Sequence, residues 1–417
     1  MRIVFHGSAG EVGRNCVEVD DKFLFDAGIR FTEEGIEYPA TNDVSRIKAV
    51  FLTHAHMDHS GALPMFNHLG LNCPIYSNPM IKDITKLLLK DSYHIEVIDK
   101  RHPPYNKENI TNVLNLMEHA PFGKEMQEDG FSFKFHPSGH IPGSASVLLE
   151  HQGKRLLYTG DINRRESRLM KASTFVERDV DALICEATYG DREHPPRKQT
   201  EDAFLSKITE VTEAGGSVLI PVFAVGRAQE MMLMLKQRKF TAPIYVDGMS
   251  KKVTNMLLKR PEYIKNADEL GGAYRKIIPV QGQRHRREVG TSQSIVLTTS
   301  GMLDGGPAIE YLKYFCHGHK NAILLTGFQS EDSNGRLLLD QRRVYLDGVR
   351  HKVQAFVEKY DFSAHVGRSE LIEFIEQTNP RTLILHHGEP EALESLRKEF
   401  AGRMRVFVPQ LHDKIDV

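Results

Sequence analysis

Residues 54–59 read His54-Ala55-His56-Met57-Asp58-His59, four metal-capable side chains in six positions. Imidazole nitrogen with carboxylate oxygen is a ligand set that suits zinc. The run just before it, 48–53, is short, apolar and β-branched, and reads as a buried strand. The cluster then lies on the loop leaving a strand's C-terminal end. On an extended loop the alternating His54 and His56 point to one side, toward one metal. Asp58 and His59 point elsewhere, toward a second. A lone His-x-His is better read as two surface histidines, but the added acid and third histidine at a strand exit favour metal.

One loop cannot close two metal sites, so further donors must come from elements downstream. Residues 131–135 alternate like a strand and lead to Ser138-Gly139-His140. The short apolar run 155–159 ends at Gly160-Asp161, 182–185 ends at Glu186, and 382–385 ends at His386-His387-Gly388. Each has one layout, a buried strand with a ligand-type side chain at its C-terminal end. Functional groups gather there because such loops are exposed yet rigidly held. Singly, Asp161 fits a turn or a helix cap equally well. Together the four loops make that reading poor.

With these residues in view, the chain resembles the metallo-β-lactamase superfamily. The first motif matches Asp26 in Phe25-Asp26-Ala27-Gly28, the second is residues 54–59, the third is His140 and the fourth is Asp161. More narrowly it is similar to the β-CASP nucleases, which add an acidic motif at Glu186, a histidine in Phe362-Ser363-Ala364-His365, and a histidine before Gly388-Glu389. That last context favours His387 and leaves His386 in the core or behind a ligand. The resemblance implies an α/β fold, a metallo-β-lactamase αββα sandwich with an inserted β-CASP domain built on a parallel sheet. It also implies two zinc ions per chain. His54, His56 and His140 would hold one, Asp58, His59 and His387 the other, and Asp161 would bridge them at roughly 3.5–4 Å. Asp26 would orient a ligand histidine. The implied catalytic set is His365, Glu186, Asp161 and Asp58, with His365 as general acid and Glu186 fixing its tautomer. A histidine at the last motif is the pattern of the RNA-acting members. The expected activity is internal hydrolysis of phosphodiester bonds in single-stranded RNA, in RNA processing or decay, with attack from the 5′ end left open by the sequence.

Composition sets limits. The chain has 417 residues, which suits two domains rather than one core. Hydrophobic residues make up 40% and charged residues 26%, a globular balance. No apolar run is long enough to span a membrane. The N-terminus enters a strand directly and does not read as a signal peptide. Cys16, Cys73, Cys185 and Cys316 form no close pair and read as buried free thiols in a reducing cytoplasm. Residues 7–13, Gly-Ser-Ala-Gly-Glu-Val-Gly, mimic a dinucleotide loop, but the next segment alternates as a strand where a helix is required. No nucleotide cofactor is expected.

The strand pattern divides the chain into 1–195, an insert at 196–352, and a return to the first domain at 353–417. Inside the insert, strands at 217–222, 243–246, 294–298 and 322–326 alternate with helical stretches, which implies a doubly wound parallel sheet. Ser250 reads as a helix N-cap, Arg227 opens an amphipathic helix, and Pro307 suits a first helical turn. Segments 91–130 and 260–290 read as surface extensions. No internal repeat or appended RNA-binding module is expected.

Net charge is −1, so an RNA ligand needs a local positive path. The densest run is Arg284-His285-Arg286-Arg287. Arg164, Arg165, Arg168 and the pair Arg342-Arg343 are others. Strand ends in an open parallel sheet are natural ligand seats, which adds Arg227, Ser300, Gly301 and, near the second domain boundary, Ser363. The inserted domain is expected to roof the site into a cleft that takes a single strand. That argues against a hydrolase of small thioesters or lactones. A non-catalytic RNA-binding scaffold is the third class, and the full ligand set argues against it. A homodimer is among the expected assemblies.

Overall fold

In the computed structural model, residues 1–32, 34–41 and 43–417 are described. They form two units: Met1–Glu166 with Ala172–Glu193 and Ala364–Val417, and Ser167–Lys171 with His194–Ser363.

The first unit is built on two seven-stranded sheets. One carries, in spatial order, Lys414–Asp416, Arg2–Phe5, Val17–Val19, Phe23–Phe25, Ala49–Phe51, Ile75–Ser77 and Met117–His119. The other carries Arg405–Phe407, Thr382–His386, Ala182–Glu186, Lys154–Tyr158, Ala145–His151, Phe131–Pro137 and Glu125–Glu128. Side chains from both, among them Phe25, Phe51, Phe133, Phe135 and Tyr158, form one buried core. The ring centroids of Phe25 and Tyr158 are 5.0 Å apart, as are those of Phe51 and Phe133. The second sheet is apolar on its other face too. Leu157, Leu183 and Leu385 pack there with Phe374, Leu396 and Phe400 of the helices Arg368–Thr378 and Pro390–Phe400. Burial on both faces is why these strands read as unbroken apolar runs.

The segment 91–130 belongs to this framework rather than to the surface alone. The helix Pro79–Ile98 is capped by Asn78, whose side chain accepts from Met80 and Ile81 N–H groups. Met117–His119 and Glu125–Glu128 then add the outermost strand to each sheet.

The second unit holds a six-stranded sheet in the order Ile278–Pro279, Ile244–Asp247, Ile295–Thr298, Val218–Pro221, Ala322–Leu325 and Phe356–Lys359, with every pairing parallel. Its last strand lies beyond the boundary expected at 352. Phe356–Lys359 pairs with Ala322–Leu325, so the insert runs to Ser363. Segment 260–290 likewise contributes an edge strand and two helices, Ala267–Tyr274 and Gly282–Thr291. The helix Arg227–Leu235 is buried on all sides, from Ala228 to Leu235, and is not amphipathic in its surroundings. Ser250 does not cap its helix. Its hydroxyl donates to the Asp247 carbonyl at 3.2 Å, and the N-cap is Met249.

The basic run 284–287 is divided by this fold. Arg284 and Arg287 are exposed on the helix Gly282–Thr291. Arg286 instead turns inward, with Nε 2.7 Å from a carboxylate oxygen of Asp247, to which the Tyr311 hydroxyl also donates at 3.2 Å. Arg286 is thus a structural ion-pair partner rather than a free phosphate ligand. Asp247 keeps Lys251 at 3.3 Å and the Gly248 N–H at 2.7 Å, so Arg286→Ala removes a charge-assisted hydrogen bond without stranding the carboxylate. It should cost about 2 kcal/mol of unfolding free energy, while Arg284→Ala should change it little. Denaturant melts of the two variants check this. Arg164, Arg165 and Arg168 are also engaged within the chain, with Gln377, Glu370 and Glu201.

Candidate metal centre

Three strand exits converge on the loop after Ala49–Phe51. Thr53, His54 and Ala55 are buried and extended, but Met57–Ser60 closes into a helical turn, so the motif is not one extended loop. The turn is held against residues 26–29 by backbone bonds from Ala27 N to His59 O at 2.7 Å and from Ile29 N to Met57 O at 2.9 Å. That approach needs Gly28, because a Cβ there would lie 1.7 Å from the Asp58 carbonyl oxygen.

The turn puts His54, His56 and His59 on a common centre with residues from the second sheet. Four donors, His54, His56, His140 and Asp161, offer ligand atoms within 4.8 Å of one another. So do His59, Asp161 and His387, and so do His54, Asp58 and His59. Asp161 belongs to both sides. Its Oδ2 is 3.5 Å from Nε2 of His54 and of His140, and its Oδ1 is 3.4 Å from His59 Nε2 and 3.2 Å from His387 Nδ1. Asp58 Oδ2 stands 3.5 Å from His387 Nε2 and 3.7 Å from His59 Nε2. All seven side chains placed on the metals by motif therefore meet in one place in the first unit.

The donor set fits metal ions. Among the described residues, His54 Nε2, His387 Nε2 and Asp161 Oδ1 are buried with no hydrogen-bond partner. Buried polar atoms are seldom left so. Burial holds the His54 and His140 imidazoles below their ordinary pKa, in the neutral form that ligation requires. Burial opposes charge on His59 as well, yet Asp161, Asp26 and Asp58 together outweigh it and push its pKa well up. Burial also works against an ionised Asp161, but His387, His59 and His365 hold its pKa well down. A centre this rich in carboxylate calls for positive charge, which a metal supplies.

Behind the donors lies a shell of hydrogen bonds. Asp26, fully buried, accepts from the Thr53 N–H at 2.8 Å, the Thr53 hydroxyl at 2.8 Å, the Tyr158 hydroxyl at 3.1 Å and His59 Nδ1 at 2.7 Å. It thereby turns His59 Nε2 to the centre. His140 Nδ1 donates to the Ala364 carbonyl at 2.9 Å, which does the same for its Nε2. Thr53, Asn15, Tyr158 and Thr188 were not marked by sequence reasoning. Asn15 Nδ2 lies 2.9 Å from His59 Nε2, and Thr188 hydroxyl bonds Glu186 at 2.5 Å and approaches His387 Nδ1 at 3.3 Å. Such residues are common in turns, and nothing in their local sequence distinguishes them. Replacing Asp26 by Ala should weaken metal binding roughly 10–100-fold, read by competition with a chromophoric chelator.

His365 stands beside this centre. Its Nδ1 is 3.0 Å from each oxygen of Glu186, and its Nε2 is 3.9 Å from Asp161 Oδ2. Burial opposes its protonation, but Glu186 and Asp161 outweigh that and raise its pKa to about 9. Glu186 is itself anchored by the Ile162 N–H at 2.8 Å. His386 faces the other way. It is buried against Phe5 and Tyr158, with ring centroids 6.2 and 5.3 Å away, and burial keeps it neutral. It is a core residue.

The strand-end residues of the second unit also gather. Gly301 and Gly327 both pack on Phe223, where added Cβ atoms would meet it at 3.0 and 2.7 Å. Arg227 opens the next helix, and the Ser300 hydroxyl accepts from the Asp304 N–H at 3.1 Å. Ser363 N–H caps Asp361, whose other oxygen pairs with His194 at 2.9 Å.

Comparison with known proteins agrees with this architecture. Residues 9–196 match the metallo-β-lactamase superfamily, 228–338 the β-CASP domain, and 350–409 the Zn-dependent metallo-hydrolase RNA specificity domain. The chain is 39% identical to the probable RNase MJ4 of Methanocaldococcus jannaschii, with 100% of each chain covered. It is 27% identical to cleavage and polyadenylation specificity factor subunit 3-I of Arabidopsis thaliana, over 99% of this chain and 63% of that protein. A crystal structure of a protein of unknown function from Enterococcus faecalis V583 shares the fold, with a TM-score of 0.60, 15% identity and 99% coverage of both chains. A metallo-β-lactamase segment, a β-CASP segment and an end-to-end relative at this identity together place the chain: it belongs to the β-CASP branch of the metallo-β-lactamase superfamily.

Proposed function

We propose that the protein is a two-zinc ribonuclease that hydrolyses phosphodiester bonds of single-stranded RNA. The observation that carries this reading is the shared carboxylate of Asp161, set between two groups of histidines with His365 alongside. His54, His56 and His140 with Asp161 would hold one ion, and Asp58, His59 and His387 with Asp161 the other. Bound zinc supplies a Lewis acid for the phosphoryl oxygens and acidifies a water for attack. The chain's own residues do the rest. Asp26 and the Ala364 carbonyl fix which nitrogen His59 and His140 present. Glu186 holds His365 by Nδ1, which turns its Nε2 toward Asp161 and the centre, where it would protonate the departing 3′ oxygen. The products would be a 5′-phosphate and a 3′-hydroxyl. That the homologue from Methanocaldococcus jannaschii is called a probable RNase supports RNA over DNA.

Two measurements test this. Elemental analysis should find about two zinc ions per chain. A metal content near zero, with no activation by added zinc, would overturn it. Digestion of 5′-labelled, 3′-labelled and circular RNA, alongside a duplex, should show cutting of the single strands. Circular RNA is cut only by an endonuclease, so it separates the two modes.

A further inference from the structure

The second unit carries a two-stranded hairpin outside its main sheet, Arg343–Leu346 paired antiparallel with Val349–Lys352. Its two faces differ. Val344 and Leu346 turn into the core that also holds Leu338, Val353 and Val357. The opposite face presents Arg343 across from Lys352 and Tyr345 across from Arg350, all four exposed. The Tyr345 backbone N–H and carbonyl bond outward to the Asn334 side chain, at 2.7 and 3.1 Å. They are therefore not spent on Arg350, and both outward pairs are of the non-hydrogen-bonded kind, in which Cα atoms approach to about 4.5 Å and side chains are closest.

Two features of this face are costly unless something binds there. Like charges directly opposite one another destabilise a strand pair, and Arg343 faces Lys352. No carboxylate on the hairpin relieves this, because its one acid, Asp347, is taken by Lys313 at 2.8 Å. Meanwhile a tyrosine that is 51% exposed sits between cations. Charge alone would serve to protect an edge strand from aggregation, but a central aromatic would not. A flat ring flanked by guanidinium and ammonium groups is the arrangement that takes a nucleobase on its face and phosphates on either side. The chain's net charge is only −1, so this concentration is not part of a general basic excess.

We infer that this hairpin face is a contact for single-stranded RNA, with a base stacked on Tyr345 and the backbone phosphates paired with Arg343 and Lys352, the Arg350 guanidinium being bonded to Gln341. The inference rests on the ribonuclease reading above and adds a surface to it. Asn334 holds the Tyr345 backbone in place before the RNA arrives. Its N–H donates to Asp304 at 2.7 Å and its amide to the Leu303 carbonyl at 3.0 Å, so the strand is tied to the helix Asn334–Gln341.

The test uses full-length zinc-loaded protein and a fluorescent, phosphorothioate-linked single-stranded RNA, titrated by anisotropy at salt from about 50 to 200 mM. Arg343→Ala with Lys352→Ala should flatten the slope of log affinity against log salt by about 1.4, since each phosphate contact on a single strand accounts for about 0.7. Tyr345→Ala should weaken binding about 5- to 150-fold, and Tyr345→Phe should restore it. Melting temperatures should not fall, because these side chains leave the core untouched and removing Arg343 with Lys352 relieves a like-charge pair. RNA carrying 4-thiouridine should crosslink to the peptide containing Tyr345 in the unaltered protein. If the wild type binds and cuts RNA while the variants keep its affinity and salt slope and no crosslink forms, the hairpin is solvated surface and the inference fails alone. If the wild type binds no RNA at all, the ribonuclease reading fails and takes this inference with it.

Discussion

Asp161→Ala is expected to abolish hydrolysis and to strip metal from both halves of the centre at once. The reason is geometric. One carboxylate oxygen of Asp161 serves His54 and His140, and the other serves His59 and His387. In the proposed assignment each other ligand serves one ion only. His140→Ala, for example, should lower affinity at one ion and leave the other bound. Metal content of dialysed protein, measured beside RNA cleavage, separates these cases. Asp161→Asn keeps the side-chain volume and should lose metal in the same way, which distinguishes loss of the shared charge from loss of packing. Two ions retained by either Asp161 variant would show that the carboxylate is not shared.

His365→Ala should lower turnover roughly 10²–10⁴-fold and leave the metal content intact. Its Nε2 is 3.9 Å from Asp161, and its Nδ1 is committed to Glu186. Should the variant lose one zinc, His365 is a ligand. His386 cannot then replace it as the acid, since its ring faces Phe5 and Tyr158. The pH profile gives an independent check. Burial disfavours the charged ring, but Glu186 and Asp161 raise its pKa to about 9, so the proton needed by the leaving group is held below that pH and lost above it. Activity should fall on the alkaline side accordingly. A metal ion held by the neighbouring ligands would repel the imidazolium and place the fall at or below pH 9. Glu186→Gln removes the strongest upward influence, so the alkaline limb should move to lower pH. A limb that does not move in Glu186→Gln would remove His365 from the role.

Much of this protein is legible residue by residue. The apolar runs before His54, Asp161, Glu186 and His386 proved to be strands, because a strand buried on both faces reads as one apolar run, and the alternating run before His140 proved to be one by its period of two. The parallel sheet of the second unit was equally legible, since each of its inner strands is followed by a glycine-bearing turn and a helix. The sequence was a poorer guide where a segment's role depends on a distant partner. Phe356–Lys359 carries no mark of belonging to the insert, and only pairing with Ala322–Leu325 assigns it there. Arg286 looks like its neighbours until Asp247 and Tyr311 are seen around it.

The same division runs through the metal centre. Its donor types and their positions at strand ends follow from sequence alone, because ligand chemistry admits few residue types and exposed strand ends are where a fold can place them. Which donor faces which, and what stands behind each, was decided by tertiary structure. Asp26 reaches His59 across 33 positions of chain, and Tyr158 reaches Asp26 across 132. Hydrogen bonds between residues so far apart leave no spacing to read. They exist only once two sheets have packed face to face and brought their strand ends to one point.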